Sequence, residues 1–396
     1  MAKYKNIKTY GLFALIFVVV EGGVPGFQAP DGHNFMAYYL LACAGVFFVP
    51  VPNALRVFVL ACAASCAWLM FMVANVQPKE MSLGFLKLYL SANSDFQFVL
   101  LFMALYTMVK AAGIRMEKWL DFCCVLALVE VFRLSCQRLG WDPFFSPMNQ
   151  SVTILDGAGG QGNIGWTGMV LAACAIGFCR GRLWFGLIPV GFALVTLKSA
   201  TPAIAAAGAV ATLAFFRFRG TARLCVVLWA CFAVILYLLY DPGDSSRFAN
   251  WARGFDLSYQ GRESWVLGYG LGTWIFLFPE LGTTFHRAHC EPLQVFFELG
   301  FCGVLAMLLY FRWAILRTVR AIGKDGSPWL PHAAGGLAAV TLCALGNFPF
   351  HLAGVAAVCV PMMAMFDRET DGTSRKGAKV QRKDLSGLKN RREVKS

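Results

Sequence analysis

The chain has 396 residues, 58% hydrophobic and 14% charged, against about 25% charged in an average soluble domain. Its apolar residues come in runs long enough to cross a bilayer, about 20 residues each, which excludes an ordinary water-soluble enzyme. The net charge of +13 does not imply a nucleic-acid partner, because from Arg368 to Ser396 ten Lys/Arg stand against four Asp/Glu with almost no apolar residue between them.

Taken in chain order, spanning helices are expected at 10–27, 35–51, 54–75, 95–110, 118–138, 164–180, 183–199, 201–217, 223–240, 291–311, 330–347 and 350–366. The first follows Lys3, Lys5 and Lys8 as a signal peptide would, but no A-x-A cleavage site follows it, so it counts as a span. The expected fold is all-α: a polytopic integral membrane protein with about 12 transmembrane helices, residues 1–367 forming the membrane domain. Residues 368–396 form a basic, disordered tail facing anionic lipid head groups.

An even number of spans puts both termini on one side. Placing that side in the cytoplasm puts 26 of the 35 Lys/Arg on the inner ends, loops and tail, and leaves nine in the membrane or outside. That asymmetry is the positive-inside rule. The outer segments are then 76–94, 139–163 and one large loop, 241–290, within which Asp244 to Ser258 reads as a helix lying on the membrane, capped by Asp244, Ser245 or Ser246.

Four of the nine exceptions, Arg247, Arg253, Arg262 and Arg287, fall in that outer loop. Arg253 reads as a solvated charge among Asp241, Asp244, Asp256, Glu263 and Glu280. Arg247 and Arg287 leave two readings open, a solvated pair partner or a bidentate phosphate ligand. Asp241 and Asp244 suit helix capping better than a divalent cation. Gly268-Tyr269-Gly270-Leu271-Gly272 lacks the strand and helix of a nucleotide loop and reads as flexible backbone at the membrane surface. Of 14 cysteines most lie inside apolar runs as small hydrophobes, with no CxxC and no zinc spacing. Glu130 and Arg133 read as a mutual pair, and His33 and His351 as structural.

The outer loop carries a longer pattern: R-x-x-x-W at Arg247 and Trp251, G-x-G-x-G at Gly268, Gly270 and Gly272, then A-H-x-x-x-L-Q-x-x-x-E-x-G from Ala288 to Gly300. It resembles the bacterial O-antigen ligase and O-antigen polymerase superfamily. Gly162-Asn163 and Thr196-Leu197-Lys198-Ser199 are similar to two further elements of that family. Cys290 and Pro292 depart from the family's usual asparagine and aromatic, and Ala200 from its second arginine.

The resemblance implies a glycosyltransferase of the bacterial inner membrane, with the 241–290 loop in the periplasm. It would move a glycan from undecaprenyl diphosphate to a sugar hydroxyl of a lipid-anchored acceptor, lipid A-core. His289 corresponds to the family's functional histidine and would serve as general base, and Arg247 to its functional arginine. Arg287, Arg262 and Lys198 would hold the diphosphate. Transfer would be inverting and need neither metal nor cofactor. A ligase is favoured over the alternative, an O-antigen or exopolysaccharide polymerase of the same superfamily, because the chain has one outer loop of about fifty residues and no appended outer domain is expected after the last span. A lipid-linked glycan flippase is less favoured, since charges gather at the outer edge and no internal repeat is visible.

Reporter fusions at Gly282 and in the tail are expected to fall in opposite compartments; both on one side would overturn the topology.

Overall fold

The structure is a computed structural model, and it describes residues 9–14, 16–17, 102–103, 105–110, 112–140, 164–217, 249, 251–256, 264–274, 288–322, 327–347, 349–351 and 354–371. All regular structure among the described residues is helical. The principal helices are α1 (Met116–Arg138), α2 (Ile164–Ala175), α3 (Leu187–Thr196), α4 (Ala200–Arg217), α5 (Glu291–Ile322), α6 (Leu330–Gly346) and α7 (354–371). The expected spans 35–51, 54–75 and 223–240 lie outside the described residues, as does the tail beyond Asp371.

Local chemistry sets several of these boundaries. Glu117 in the first turn of α1 and Arg138 in its last complement the helix dipole. Pro331 sits in the first turn of α6, where its missing N–H leaves no intrahelical bond unmade. The expected span at 183–199 divides into a 3-10 stretch, Gly181–Gly186, and α3. Pro189, in the first turn of α3, suits a helix start better than a helix interior.

Two of the described helices, Ala200–Arg217 and Glu291–Arg320, are long and apolar enough to cross a membrane. Gly165–Phe178, Gly181–Thr196 and Leu330–Gly346 are apolar but shorter. The centre of the bundle is formed by α2 and α7, whose side chains from Met169 to Ala175 and from Val355 to Phe366 are almost all buried. Around them α4 and α6 approach closely through small residues. A Cβ at Gly208 would lie 2.2 Å from Leu342, and one at Gly335 2.8 Å from the Ala209 carbonyl oxygen. The surrounding helices are apolar on their outer surfaces too. Leu128 and Phe132 of α1, Ile188, Phe192 and Val195 of α3, and Phe301, Leu308, Ile315 and Val319 of α5 all stand exposed.

Polar contacts between helices gather at the two ends of the bundle. At one end the buried Asp367 accepts from Tyr106 Oη at 2.8 Å and pairs with Lys110, while Arg317 pairs with Asp371 and lies 3.9 Å from Asp367. Arg180 pairs with Asp121, Arg368 donates to the Ile114 carbonyl and Ser327 to Glu369 at the same end. At the other end Arg138 donates to the Thr196 carbonyl at 2.8 Å, Thr201 to the Gly346 carbonyl at 3.2 Å, and the Phe350 N–H to Glu291 at 3.1 Å. Each of these contacts joins helix ends that the charge pattern assigns to one side.

Asp367 is the member of the ionic cluster farthest from solvent, its side chain 2% exposed against 39% for Asp371. Removing one partner of a buried charge network costs about 3–5 kcal/mol, whereas exposed pairs contribute about 0–1 kcal/mol. Asp367→Ala is therefore expected to lower the unfolding temperature in detergent sharply and Asp371→Ala hardly at all; equal effects would refute the assignment of the buried anchor.

Candidate functional site

The site is built around a break in α5. At Gly300 the backbone adopts φ 59° and ψ −148°, so the helix is two helices end to end. A break of this kind leaves the preceding carbonyls without their partners four residues on, and in an apolar interior those groups need donors from elsewhere. The Gly268–Gly272 segment provides them. The Tyr269 N–H donates to the Phe297 carbonyl and the Gly270 N–H to the Glu298 carbonyl, both at 3.0 Å. Gly268, at φ 70°, lies so close that a Cβ there would sit 2.3 Å from the Glu298 carbonyl, and a Cβ on Gly300 would sit 2.5 Å from the Gly268 nitrogen. The glycine-rich segment, read from sequence as flexible backbone, is instead a fitted splint whose two backbones touch.

Aromatic rings fill the space beside the splint. Tyr269 stacks on Phe297 at 4.8 Å and Trp274 meets the same ring edge-on at 5.0 Å. The helical turn 251–256, part of the stretch expected to lie on the membrane, packs against Trp274 through Gly254, where a Cβ would come within 2.4 Å of the indole. Arg253 and Phe255 on that turn are exposed.

His289 lies in the three-residue turn that enters α5. The turn is held from two directions: Trp251 Nε1 donates to the Ala288 carbonyl at 2.6 Å, and the Ala288 N–H donates to Gln294 Oε1 at 3.4 Å. The Cys290 carbonyl accepts the Gln294 N–H at 3.0 Å, starting the helix. His289 is half-buried with φ 52°. Left-handed backbone is disfavoured by roughly 1–2 kcal/mol for a residue with a Cβ. Among the described residues one other non-glycine adopts it, Lys198, at φ 50°. Lys198 follows α3, its N–H donating to the Val195 carbonyl at 3.1 Å, in the position where helices usually carry glycine, and it is exposed.

These two of the five site residues singled out by sequence thus share a conformation that backbone sterics disfavour. They also share one end of the bundle. Three residues beyond Lys198, Thr201 joins the end of α6, and beyond α6 Phe350 joins Glu291, two residues from His289. Arg247, Arg262 and Arg287 lie outside the described residues, as do Asp241, Asp244 and His33. Glu130 and Arg133 are both buried in α1, and His351 falls in a short 3-10 turn, Pro349–His351.

Sequence reasoning left Glu291, Gln294 and Glu298 without a role. Spaced three and four apart, they share one face of the first half of α5, and all are buried. Their signal in the sequence is polarity in an otherwise apolar helix. Burial pushes the Cys290 thiol up, against the Leu293 N–H, and the neighbouring Glu291 adds to the rise. Among the described residues no group of three or more His, Cys, Asp or Glu is placed to hold a metal ion. The arrangement offers a half-buried imidazole at a helix entrance.

No known protein family and no curated protein matches the chain in sequence.

Gly300→Ala is expected to cost at least about 2 kcal/mol, from a φ/ψ combination that essentially only glycine adopts and from the overlap with Gly268. Gly191, in α3 with nothing within 4 Å of a Cβ, is the control: Gly191→Ala should gain up to about 1 kcal/mol. Thermal unfolding compares them, and a neutral Gly300→Ala would show that the break is not required.

Proposed function

We propose that the chain is a multi-pass membrane glycosyltransferase of the O-antigen ligase type, working at the outer face of a bacterial inner membrane with both termini cytoplasmic. The observation that carries the proposal is the turn at His289: a strained, half-buried histidine held by Trp251 and Gln294 at one end of an apolar bundle. Strained backbone over-determined by its surroundings is characteristic of functional sites. Exposed apolar side chains around the bundle, and the sorting of its polar contacts to two ends, support the membrane setting.

In this reading the neutral imidazole of His289 takes the proton of an acceptor sugar hydroxyl as its oxygen attacks the anomeric carbon. The bond from that carbon to the undecaprenyl diphosphate oxygen breaks, the configuration inverts, and the leaving diphosphate carries away the electron pair. Arginine offsets charge developing on a diphosphate through bidentate bonds. Arg247 has this task, four residues before the Trp251 that grips the histidine turn, with Arg287, Arg262 and Lys198 as further cations.

A second reading has one observation in its favour. An interrupted helix is a recurring device of transporters, which would make the chain a lipid-linked glycan flippase. At Gly300, however, Tyr269 and Gly270 occupy the carbonyls that such a site leaves to its ligand.

Purified protein given undecaprenyl diphosphate glycan and lipid A-core should transfer the glycan after chelator treatment. His289→Ala should lose about 10²–10⁴-fold in rate, and Arg247→Lys should restore only part of what Arg247→Ala loses. Transport in proteoliposomes without acceptor would favour the flippase. Gene deletion that leaves single repeat units on the acceptor would make the protein a polymerase.

A further inference from the structure

We infer that Gln294 and Glu298 are positioning residues for His289, a role that rests on the proposed glycan transfer only for its catalytic consequence. Both are removed from solvent, Gln294 0% and Glu298 2% exposed, although they sit in the first two turns of an apolar helix. Burying an amide and a carboxylate is costly unless their bonds are made. Here the bonds form a series aimed at one place. Glu298 Oε1 accepts from Gln294 Nε2 at 3.0 Å, which fixes the amide so that its oxygen faces the Ala288 N–H at 3.4 Å. The next peptide unit, the one that joins Ala288 to His289, is fixed through the Ala288 carbonyl by Trp251 at 2.6 Å.

The consequence lies in the backbone. The residue after Ala288 is His289, whose φ of 52° is not held by its own preference. Ala288 is anchored through both its N–H and its carbonyl, and Cys290 through its carbonyl to the Gln294 N–H, so the residue between them has little freedom to relax. Glu298 is itself immobilised at the helix break, where the Gly270 N–H holds its carbonyl at 3.0 Å. The series therefore runs from the splint, through Glu298 and Gln294, to the strained histidine. A misplacement of about 1 Å in a catalytic group is enough to lose about 10²-fold in rate.

Cys290 supplies a reporter independent of any activity, since its half-buried thiol neighbours His289. Alkylation by N-ethylmaleimide, followed at the Cys290 peptide by mass spectrometry in the full-length protein in detergent, reads how tightly the turn is held. Gln294→Leu, which removes both side-chain bonds, should speed that alkylation about tenfold or more. Glu298→Gln, which keeps an acceptor for Gln294, should leave it within about twofold. In the transfer assay Gln294→Leu should lower kcat about 10²-fold with the KM for donor little changed, and Glu298→Gln should retain most of the rate. If Gln294→Leu fails to accumulate, Gln294→Ser breaks the same two bonds with a smaller polar side chain. Unchanged Cys290 alkylation in the leucine or serine variant overturns the positioning role, as does a fully active variant whose turn has loosened. Absence of transfer by the unsubstituted chain would instead count against glycan transfer while leaving the alkylation result to stand.

Discussion

A backbone carbonyl inside an apolar protein needs a donor, and a helix interrupted there must find one outside itself. In α5 the interruption at Gly300 is met by two N–H groups from Tyr269 and Gly270. Much of the His289 end of the bundle follows from this. The splint needs glycine at 268 and 300 because the two backbones touch. It brings Tyr269 and Trp274 against Phe297, Trp274 seats the 251–256 turn, and that turn places Trp251 on the Ala288 carbonyl beside His289. The histidine is thus positioned by a backbone irregularity three turns further along the helix it introduces.

The two ends of the bundle use different chemistry. One is closed by full charges, with Asp367 deep among Lys110, Tyr106 and Arg317. The other is closed largely by side chains meeting backbone groups, as at Thr196, Gly346 and Phe350. A buried charge cluster tolerates little movement, because separating its members leaves charges uncompensated in a medium of low dielectric. At the His289 end a neutral hydrogen bond such as Thr201 to Gly346 contributes about 0.5–1.5 kcal/mol, and the bonds of Arg138 and Glu291, each with one charged partner, about 1.5–3 kcal/mol.

How much was legible in the sequence depended on how local the cause was. The segments expected at 201–217 and 330–347 are helices, Ala200–Arg217 and Leu330–Gly346, since apolar composition with flanking arginine, glycine and proline fixes such helices, although the second is shorter than a membrane crossing needs. The span expected at 291–311 continues to Ile322, because Arg317 finds Asp371 on a helix distant in sequence and the basic turn stays ordered. The break at Gly300 was not legible: a lone glycine in an apolar run reads as a tolerated helical residue, and its partner lies in another segment. His289 and Lys198 were singled out from their motifs, but their shared left-handed backbone belongs to the folded chain. Gln294 and Glu298 were visible only as polar letters in an apolar helix, without the contacts that assign them a task.

The backbone at Lys198 bears on how this protein responds to selection. Glycine adopts a left-handed helix terminus without the steric cost that a Cβ brings, so a glycine at this position would strengthen the end of α3 while deleting an exposed ammonium group. Laboratory evolution toward heat resistance would enrich that replacement, and a design procedure guided by folding energy would choose it unprompted. Ranking variants by melting temperature would therefore discard the lysine whatever the side chain does, and a screen of this chain needs a second criterion at that position.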